Sequence, residues 1–174
     1  MRIAPAVVSL LLATVATAAD PKSDADKLAD SLKVWEKAKE ECGGDYSYQV
    51  RWSSAFGFGH TTTMTVKGNK VVERKFEEFG RAEGGKPAEA KEKWVESGKD
   101  IGTHKEGAAA RTVDELYAAA KKLCDDKVPA DHVRGIGFDK QGVLAYCFTR
   151  DTRIADDAPL TGVPSLQLTL KAKK

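Results

Sequence analysis

The sequence predicts an α+β protein in which two main helices pack on one face of an antiparallel sheet. Three observations indicate this class: a β-meander with period-2 alternation, two segments with helical periodicity, and further short strands near the C-terminus. The expected order is α-β-β-β, an insert, and α-β-β-β. A hydrophobic content of 41% is ordinary for a globular protein and is enough to build a core.

The first helix is predicted from about Asp26 to Glu41. Ser23 or Asp24 can cap its start, and Gly43-Gly44 is suited to end it. Its apolar side chains recur at helical spacing among Lys and Glu, so one face is expected to be buried. They are Leu28, Leu32 and Trp35.

A β-meander from Asp45 to Phe79 follows the helix. Along its first strand apolar side chains alternate with polar ones, which is typical of a half-buried strand. After a break at Phe56-Gly57-Phe58-Gly59, a β-branched run from His60 to Val66 predicts the second strand. A tight turn at residues 67–70 leads to the third. The apolar set of the first strand is Tyr46, Tyr48, Val50, Trp52 and Phe56.

The segment from Gly80 to Arg111 is predicted to be a loose, glycine-rich insert. Pro87 to Glu96 is expected to form a short helix within it, because proline is favoured in a first helical turn and Gly98 can terminate the helix. Long segments of this kind are often functional or irregular.

The second half repeats the helix-then-strands order. Thr112 to Glu115 is a capping box, and the helix that it opens is expected to end near Asp125. Strands are predicted at Val133 to Phe138 and Val143 to Arg150. A last strand is marked by the alternation of Leu166, Leu168 and Leu170.

The two halves share aromatic, Ala, Lys and Cys residues at matching offsets in residues 35–42 and 117–124. This favours an internal duplication, with halves at 24–80 and 111–172 and the loose insert 80–111 between them. Helix composition alone is the alternative source of the match. Either way, residues 20–174 are expected to form a single α+β domain.

The N-terminus predicts a secretory signal peptide. Arg2 gives a positive start, Ala6 to Val15 is an apolar run, and Ala16-Thr17-Ala18 supplies small residues for cleavage. A cleaved signal at 1–19 would leave a mature chain that begins at Ala19 or Asp20. A soluble, exported protein is therefore expected, either periplasmic or extracellular.

Charge and hydropathy narrow the expected partners. Lys and Arg number 28 against 26 Asp and Glu, and the two signs are mixed along the chain, which argues against a nucleic-acid binder. After signal cleavage no apolar run is long enough to predict membrane insertion. An unknown protein or small ligand, in the cell envelope or outside the cell, is the expected partner.

An exported chain can keep disulfides, and its three cysteines allow one bridge. Cys42 and Cys124 both end predicted helices on the core-facing side. Cys147 has the opposite strand parity to Leu144 and Phe148, so it is expected to point away from the helices. A bridge between Cys42 and Cys124 is the leading expectation, and no bridge at all is the alternative.

No sequence motif indicates a metal, a cofactor or a catalytic centre. His60, His104 and His132 stand alone, without metal-ligand spacing, and no nucleophile motif surrounds any Ser or Cys. An acidic turn offers weak calcium candidates, although solvated turn carboxylates are the simpler interpretation. Those candidates are Asp151, Asp156 and Asp157.

Binding is therefore the function that the sequence favours. Phe56 and Phe58 flank flexible glycines beside His60, and Trp94 lies in the insert. Phe56 and Phe58 either close the edge of the core or present an apolar contact patch, and Trp94 either docks onto the sheet or joins such a patch. For His60 an ordinary strand position is the alternative. We expect an exported, non-enzymatic binding or interaction module. A hydrolase or other enzyme is the alternative, and it requires His104 or His132 to meet Cys147 or an acidic residue in a cleft.

Several stretches of the chain resemble a group of exported bacterial proteins of unknown function, and the resemblance implies no activity or site residues. The predicted helix-and-meander architecture is also similar to β-lactamase-inhibitor-like and PepSY-like modules, which are binding or inhibitory units. The stretches that carry the first resemblance are 42–48, 56–62, 71–74, 112–117 and Asp156-Asp157.

Overall fold

The computed structural model describes residues 22–80, 89–155 and 159–171. The predicted signal peptide and two of the calcium candidates, Asp156 and Asp157, lie outside these residues. The described part contains two α-helices, eight strands and a short 3₁₀ turn at Gly98–Asp100. In chain order the elements are α1 (Asp24–Glu41), β1 (Tyr46–Ser53), β2 (Gly59–Lys67), β3 (Lys70–Phe79), β4 (Ala90–Ser97), α2 (Val113–Asp125), β5 (His132–Phe138), β6 (Leu144–Asp151), β7 (Thr161–Val163) and β8 (Leu166–Leu170).

The α+β class is confirmed, but the strands form two antiparallel sheets rather than one. The first sheet has the order β4-β3-β2-β1-β8, and the second has the order β5-β6-β7. The last strand therefore leaves the second half and pairs with β1, with Leu168 opposite Tyr48. The two halves consequently contribute different numbers of strands to the first sheet.

The core lies between the helices and the two sheets. Trp35 of α1 is fully buried and meets the Tyr46 ring edge-on at 5.0 Å. The buried Tyr117 hydroxyl of α2 lies 2.7 Å from the Ser31 hydroxyl and accepts the Leu144 amide at 2.9 Å. One tyrosine thus joins both helices to the second sheet. Among the described residues, no helix is long and apolar enough to cross a membrane.

Both helices begin where capping chemistry predicts. The Ser23 hydroxyl accepts the Asp26 amide at the start of α1, and the Thr112–Glu115 capping box is complete at the start of α2. Gly43 and Gly44 end α1 with φ of 65° and 75°, a conformation that glycine adopts without strain.

The predicted helix at Pro87 to Glu96 is wrong for its described residues, because Ala90–Ser97 is a strand. It pairs antiparallel with β3, and Trp94 lies opposite Phe76. The free edge of β3 supplies hydrogen-bond partners along its length, and ion pairs such as Lys93–Glu78, at 2.9 Å, hold the two strands in register. A short helix would have buried only Trp94 and Val95.

The predicted orientation of Cys147 is also wrong. Leu144 and Cys147 are both buried in the core, although they differ in strand parity. The cause is a register shift: Gly137 pairs with Tyr146 but Phe138 pairs with Leu144, so Ala145 is an extra residue in β6.

Candidate functional site

An aromatic ladder crosses four strands of the first sheet and ends on the loop after β4. Neighbouring rings lie 5.5, 5.2, 5.1 and 4.4 Å apart between centroids, with interplanar angles of 21°, 34°, 9° and 7°. The ring-to-ring distance matches the spacing of neighbouring strands. In order, the members of the aromatic ladder are Trp52, His60, Phe76, Trp94 and His104.

Strand register explains why the rings meet. Trp52 of β1 lies directly opposite His60 of β2, and Phe76 of β3 lies directly opposite Trp94 of β4. His60 and Phe76 are diagonal neighbours on the same face. This is the face on which the helices pack, since Trp52 shares the parity of the buried Tyr48.

The rings of the ladder differ in how far they are exposed. Phe76 is 4% exposed because its two neighbours in the ladder flank its ring. Trp52 is 48% exposed, and Phe58, with its centroid 6.2 Å away, is 47% exposed and tilted against it. Trp94 is half-buried between Phe76 and His104. The result is a rigid apolar strip flanked by Phe58.

Three of the four residues predicted to bind lie together on this strip. Phe58, His60 and Trp94 are joined through the ladder. Phe56 is 69% exposed at the tip of the β1–β2 turn, where the Ser54 amide donates to the Phe58 carbonyl at 2.9 Å. The turn therefore presents Phe56 separately from the strip.

Sequence reasoning missed Trp52, Phe76 and His104 as members of the site. Trp52 and Phe76 carried a usable signal: pairing the strands of a meander around their turns brings these aromatic positions to one face. His104 carried none, because its contact with Trp94 depends on how an irregular loop folds back.

A buried ion pair beside the ladder holds that loop in place. Arg74 and Glu96 are opposite each other in β3 and β4, are 2% and 1% exposed, and meet at 3.0 Å between Nη1 and Oε2. The Arg74 guanidinium lies 4.6 Å from the centre of the Trp94 ring, a cation–π contact. It also donates to the carbonyls of His104, Glu106 and Ala108.

The Glu96 carboxylate accepts several hydrogen bonds from the same loop. Oε2 accepts the Gly102 amide at 2.7 Å, and Oε1 accepts the Thr103 hydroxyl at 3.1 Å. Oε1 also lies 2.6 Å from the amide nitrogen of His104 and 2.9 Å from its Nδ1. Burial favours a raised pKa for Glu96, but these hydrogen bonds and the Arg74 contact outweigh it and hold the pKa far below its ordinary value.

An ionised Glu96 fixes the tautomer of His104, because a carboxylate only accepts hydrogen bonds. Nδ1 of His104 must then donate to the Glu96 carboxylate. The ring is thereby held flat against Trp94 at an interplanar angle of 7°. The imidazole acts as the last member of the ladder.

His60 sits in the middle of the ladder in a less polar setting. Its Nδ1 is buried and has no hydrogen-bond partner in the described part of the chain. Burial lowers the pKa of His60, against an opposing effect of the Glu78 carboxylate. A neutral, stacked imidazole is therefore the favoured form.

The remaining predicted chemical residues do not converge on the ladder. Cys147 is buried in the second sheet, and Nδ1 of His132 lies 3.0 Å from the Ala130 carbonyl oxygen. Asp151, the described calcium candidate, engages Arg153 at 2.6 Å, and these hydrogen bonds hold the pKa of its carboxyl below the ordinary value. The described residues contain no group of three potential metal ligands.

Comparison with known proteins gives no relative: no family model, curated protein or solved structure matches the chain.

Proposed function

We propose that this chain is an exported, non-enzymatic binding module that contacts a protein partner through the aromatic ladder and Phe58. The observation that carries the proposal is the partial exposure of a five-ring stack whose members are fixed by strand register and by the Arg74–Glu96 pair. The partner belongs to the cell envelope or the outside of the cell.

Rigidity is what makes this strip suited to binding. Aromatic side chains contribute a large contact area, and they dominate the energetics of many protein interfaces. Each stacked pair is worth roughly 0.5 to 1.5 kcal/mol beyond area burial, so the rings are ordered before a partner arrives. A preordered surface loses little conformational entropy on binding.

The orientation of the rings favours a protein over a sugar or a nucleic acid. Stacking of a base on an aromatic platform requires an open ring face. In the ladder, Phe76 and His104 stack on the two faces of Trp94, and His60 stacks on one face of Trp52, so these three ring faces are closed to a base or a sugar. Ring edges with apolar surroundings instead fit aliphatic and aromatic side chains.

The test is quantitative capture from the exported fraction with immobilised wild-type and variant proteins. Trp52→Ala and Phe58→Ala each remove a ring that is about half exposed. Val133→Ala is the matched control, since Val133 is 45% exposed but lies in β5 of the second sheet. We expect a partner that the wild type and the control retain equally and that the Trp52→Ala and Phe58→Ala variants each retain at least about tenfold less.

Retention of the same proteins by all four baits would contradict the proposal. So would capture that survives protease treatment of the fraction, because the ligand would then be a small molecule or a glycan. Circular dichroism of each variant confirms that the bait is folded.

A hydrolase is the second candidate, and the contact between His104 and Glu96 is the observation in its favour. A carboxylate that orients an imidazole through Nδ1 is the arrangement of a general base. His104→Phe separates the two functions, because it keeps a ring that can stack on Trp94 but removes the base. The binding function predicts no turnover of ester or amide substrates by the wild type. The enzyme predicts turnover that the His104→Phe variant loses.

A further inference from the structure

The C-terminal part of α2 packs against β6 and brings two thiols together. Cys147 of β6 is fully buried, and its Sγ lies 3.9 Å from the carbonyl oxygen of Ala120. Cys124 comes one helical turn after Ala120 and therefore lies on the same side of α2. Cys124 packs against the core cluster that contains Cys147, and both thiols are free.

The predicted partner of Cys124, Cys42, lies at the other end of the helix pair. Ser31 contacts Tyr117 while Lys39 contacts Asp114, so α1 and α2 run antiparallel. The C-terminal end of α1 therefore lies about 25 Å along the helix axis from the C-terminal end of α2. The expectation of a Cys42–Cys124 bridge treated the two helix ends as neighbours, and the antiparallel packing separates them.

The two thiols of the pair differ in access. Cys124 is half-buried and lines a groove of about 380 Å³ between α1 and α2, where a reagent can reach it. Burial, with a further contribution from the neighbouring Cys124, raises the pKa of Cys147 to about 12. Cys147 is thus held as a protonated, inner thiol.

A cation lies beside the pair. Nη1 of Arg134 donates to the Cys124 carbonyl at 3.3 Å, and its charge acts to lower the pKa of Cys147. Its buried Nε has no hydrogen-bond partner in the described part of the chain. A nearby guanidinium stabilises a thiolate that forms during exchange.

We propose that Cys124 and Cys147 form a disulfide that joins α2 to β6 when the chain meets a disulfide oxidant, and that Cys42 stays free. The Cys124 thiolate attacks one sulfur of the oxidant, and the other sulfur leaves as a thiolate with the bonding electrons. Cys147 then attacks the Cys124 sulfur, and its proton passes to the second thiolate as that thiolate leaves. The two protein thiols are oxidised by two electrons, and one oxidant disulfide is reduced to two thiols.

The proposal is independent of the binding function and is tested by peptide mapping. The full chain is purified under reducing conditions, exchanged into oxidised glutathione, alkylated and digested with trypsin without reduction. Cleavage after Lys and Arg places the three cysteines in separate peptides, 40–51, 123–127 and 141–150. We expect peptide 123–127 joined to peptide 141–150, and peptide 40–51 alkylated.

Variants make the assignment specific. Cys42→Ser is expected to keep the cross-link, whereas Cys124→Ser is expected to abolish it and to leave Cys147 unmodified. Cys147→Ala is expected to leave Cys124 as a stable mixed disulfide with glutathione. Cys124→Ser alters a partly exposed position, so it supports the test even where Cys147→Ala does not fold.

Two outcomes would overturn the proposal. One is complete alkylation of all three cysteines after oxidation of the folded wild type. The other is a cross-link that contains peptide 40–51.

Discussion

Replacing Glu96 with glutamine tests how the ladder and its loop are held. The change keeps the shape of the side chain but converts one carboxylate oxygen into an NH2 group. Oε2 accepts from Arg74 and Gly102, while Oε1 accepts from the Thr103 hydroxyl and from the backbone amide and Nδ1 of His104. Whichever oxygen is replaced, at least two donors then face another donor.

The cost follows from the burial of the pair. Hydrogen bonds to charged groups are worth about 1.5 to 3 kcal/mol each, and breaking a buried ion pair costs about 3 to 5 kcal/mol. Glu96 is 1% exposed and Arg74 is 2% exposed, so water cannot replace the lost contacts. We expect Glu96→Gln to lower the free energy of unfolding by about 3 to 5 kcal/mol.

Urea denaturation measures the fall in the free energy of unfolding, and amide hydrogen exchange shows which part of the chain is destabilised. The amides of Gly102 and His104 donate to Glu96, so they are expected to lose protection first. Glu92→Gln is the control on the same strand, because Glu92 is 56% exposed in its pair with Lys75; a change within about 0.5 kcal/mol is expected there. A fall in the free energy of unfolding below about 1 kcal/mol for Glu96→Gln, or one equal to that of Glu92→Gln, would show that the Arg74–Glu96 pair does not hold the loop.

Three further predictions concern pH, the core and the loop. Because the pKa of Glu96 is lowered in the folded protein, the ionised carboxylate stabilises the fold fully above the ordinary pKa of 4.5, and this stabilisation is lost as the pH falls further. The urea midpoint of the wild type should therefore drop more steeply in acid than that of Glu96→Gln. Tyr117→Phe removes the hydroxyl that contacts the Ser31 hydroxyl and accepts the Leu144 amide, so we expect the free energy of unfolding in urea to fall by about 1 to 3 kcal/mol. A fall of less than about 0.5 kcal/mol would contradict a role for these hydrogen bonds. Gly107→Ala would place a Cβ 2.5 Å from Oγ1 of Thr62, whereas Gly102→Ala has the same sign of φ and meets no atom within 4 Å. We therefore expect Gly107→Ala to displace the loop and to lower the free energy of unfolding by about 1 to 3 kcal/mol more than Gly102→Ala, measured by urea denaturation. Equal losses would contradict the packing of Gly107.

The sequence predicted the elements whose signals are local. The helix at α2 follows from the Thr112–Glu115 capping box, and the β1–β3 meander follows from alternation around two turns. These features depend on residues within a few positions of one another, so propensity and periodicity were enough.

Propensity and periodicity did not predict the features that depend on residues distant in the sequence. Residues 90–97 form a strand because β3 offers a free edge, and their composition alone suits a helix as well. Cys147 faces the core because of the extra residue Ala145, and a single inserted residue reverses every parity argument that crosses it.

The candidate site was predicted in part. The glycine–aromatic break supplied Phe58 and His60, and Trp94 stood out as the large aromatic of the insert. The ladder itself arises only when four strands are placed in register, and its last ring comes from the loop that Arg74 and Glu96 hold.

Site-specific photo-cross-linking is the direct test of whether Phe58 and the aromatic ladder contact a protein partner. A photoreactive phenylalanine analogue is placed at Phe58 in one sample and at Val133 in another; these positions are 47% and 45% exposed. Both proteins are irradiated with the exported fraction, and cross-linked protein is identified by mass spectrometry. We expect a discrete protein adduct at position 58 that is absent at position 133 and is lost when Trp52 is replaced by alanine. Equal labelling at both positions, or no adduct at position 58, would contradict it.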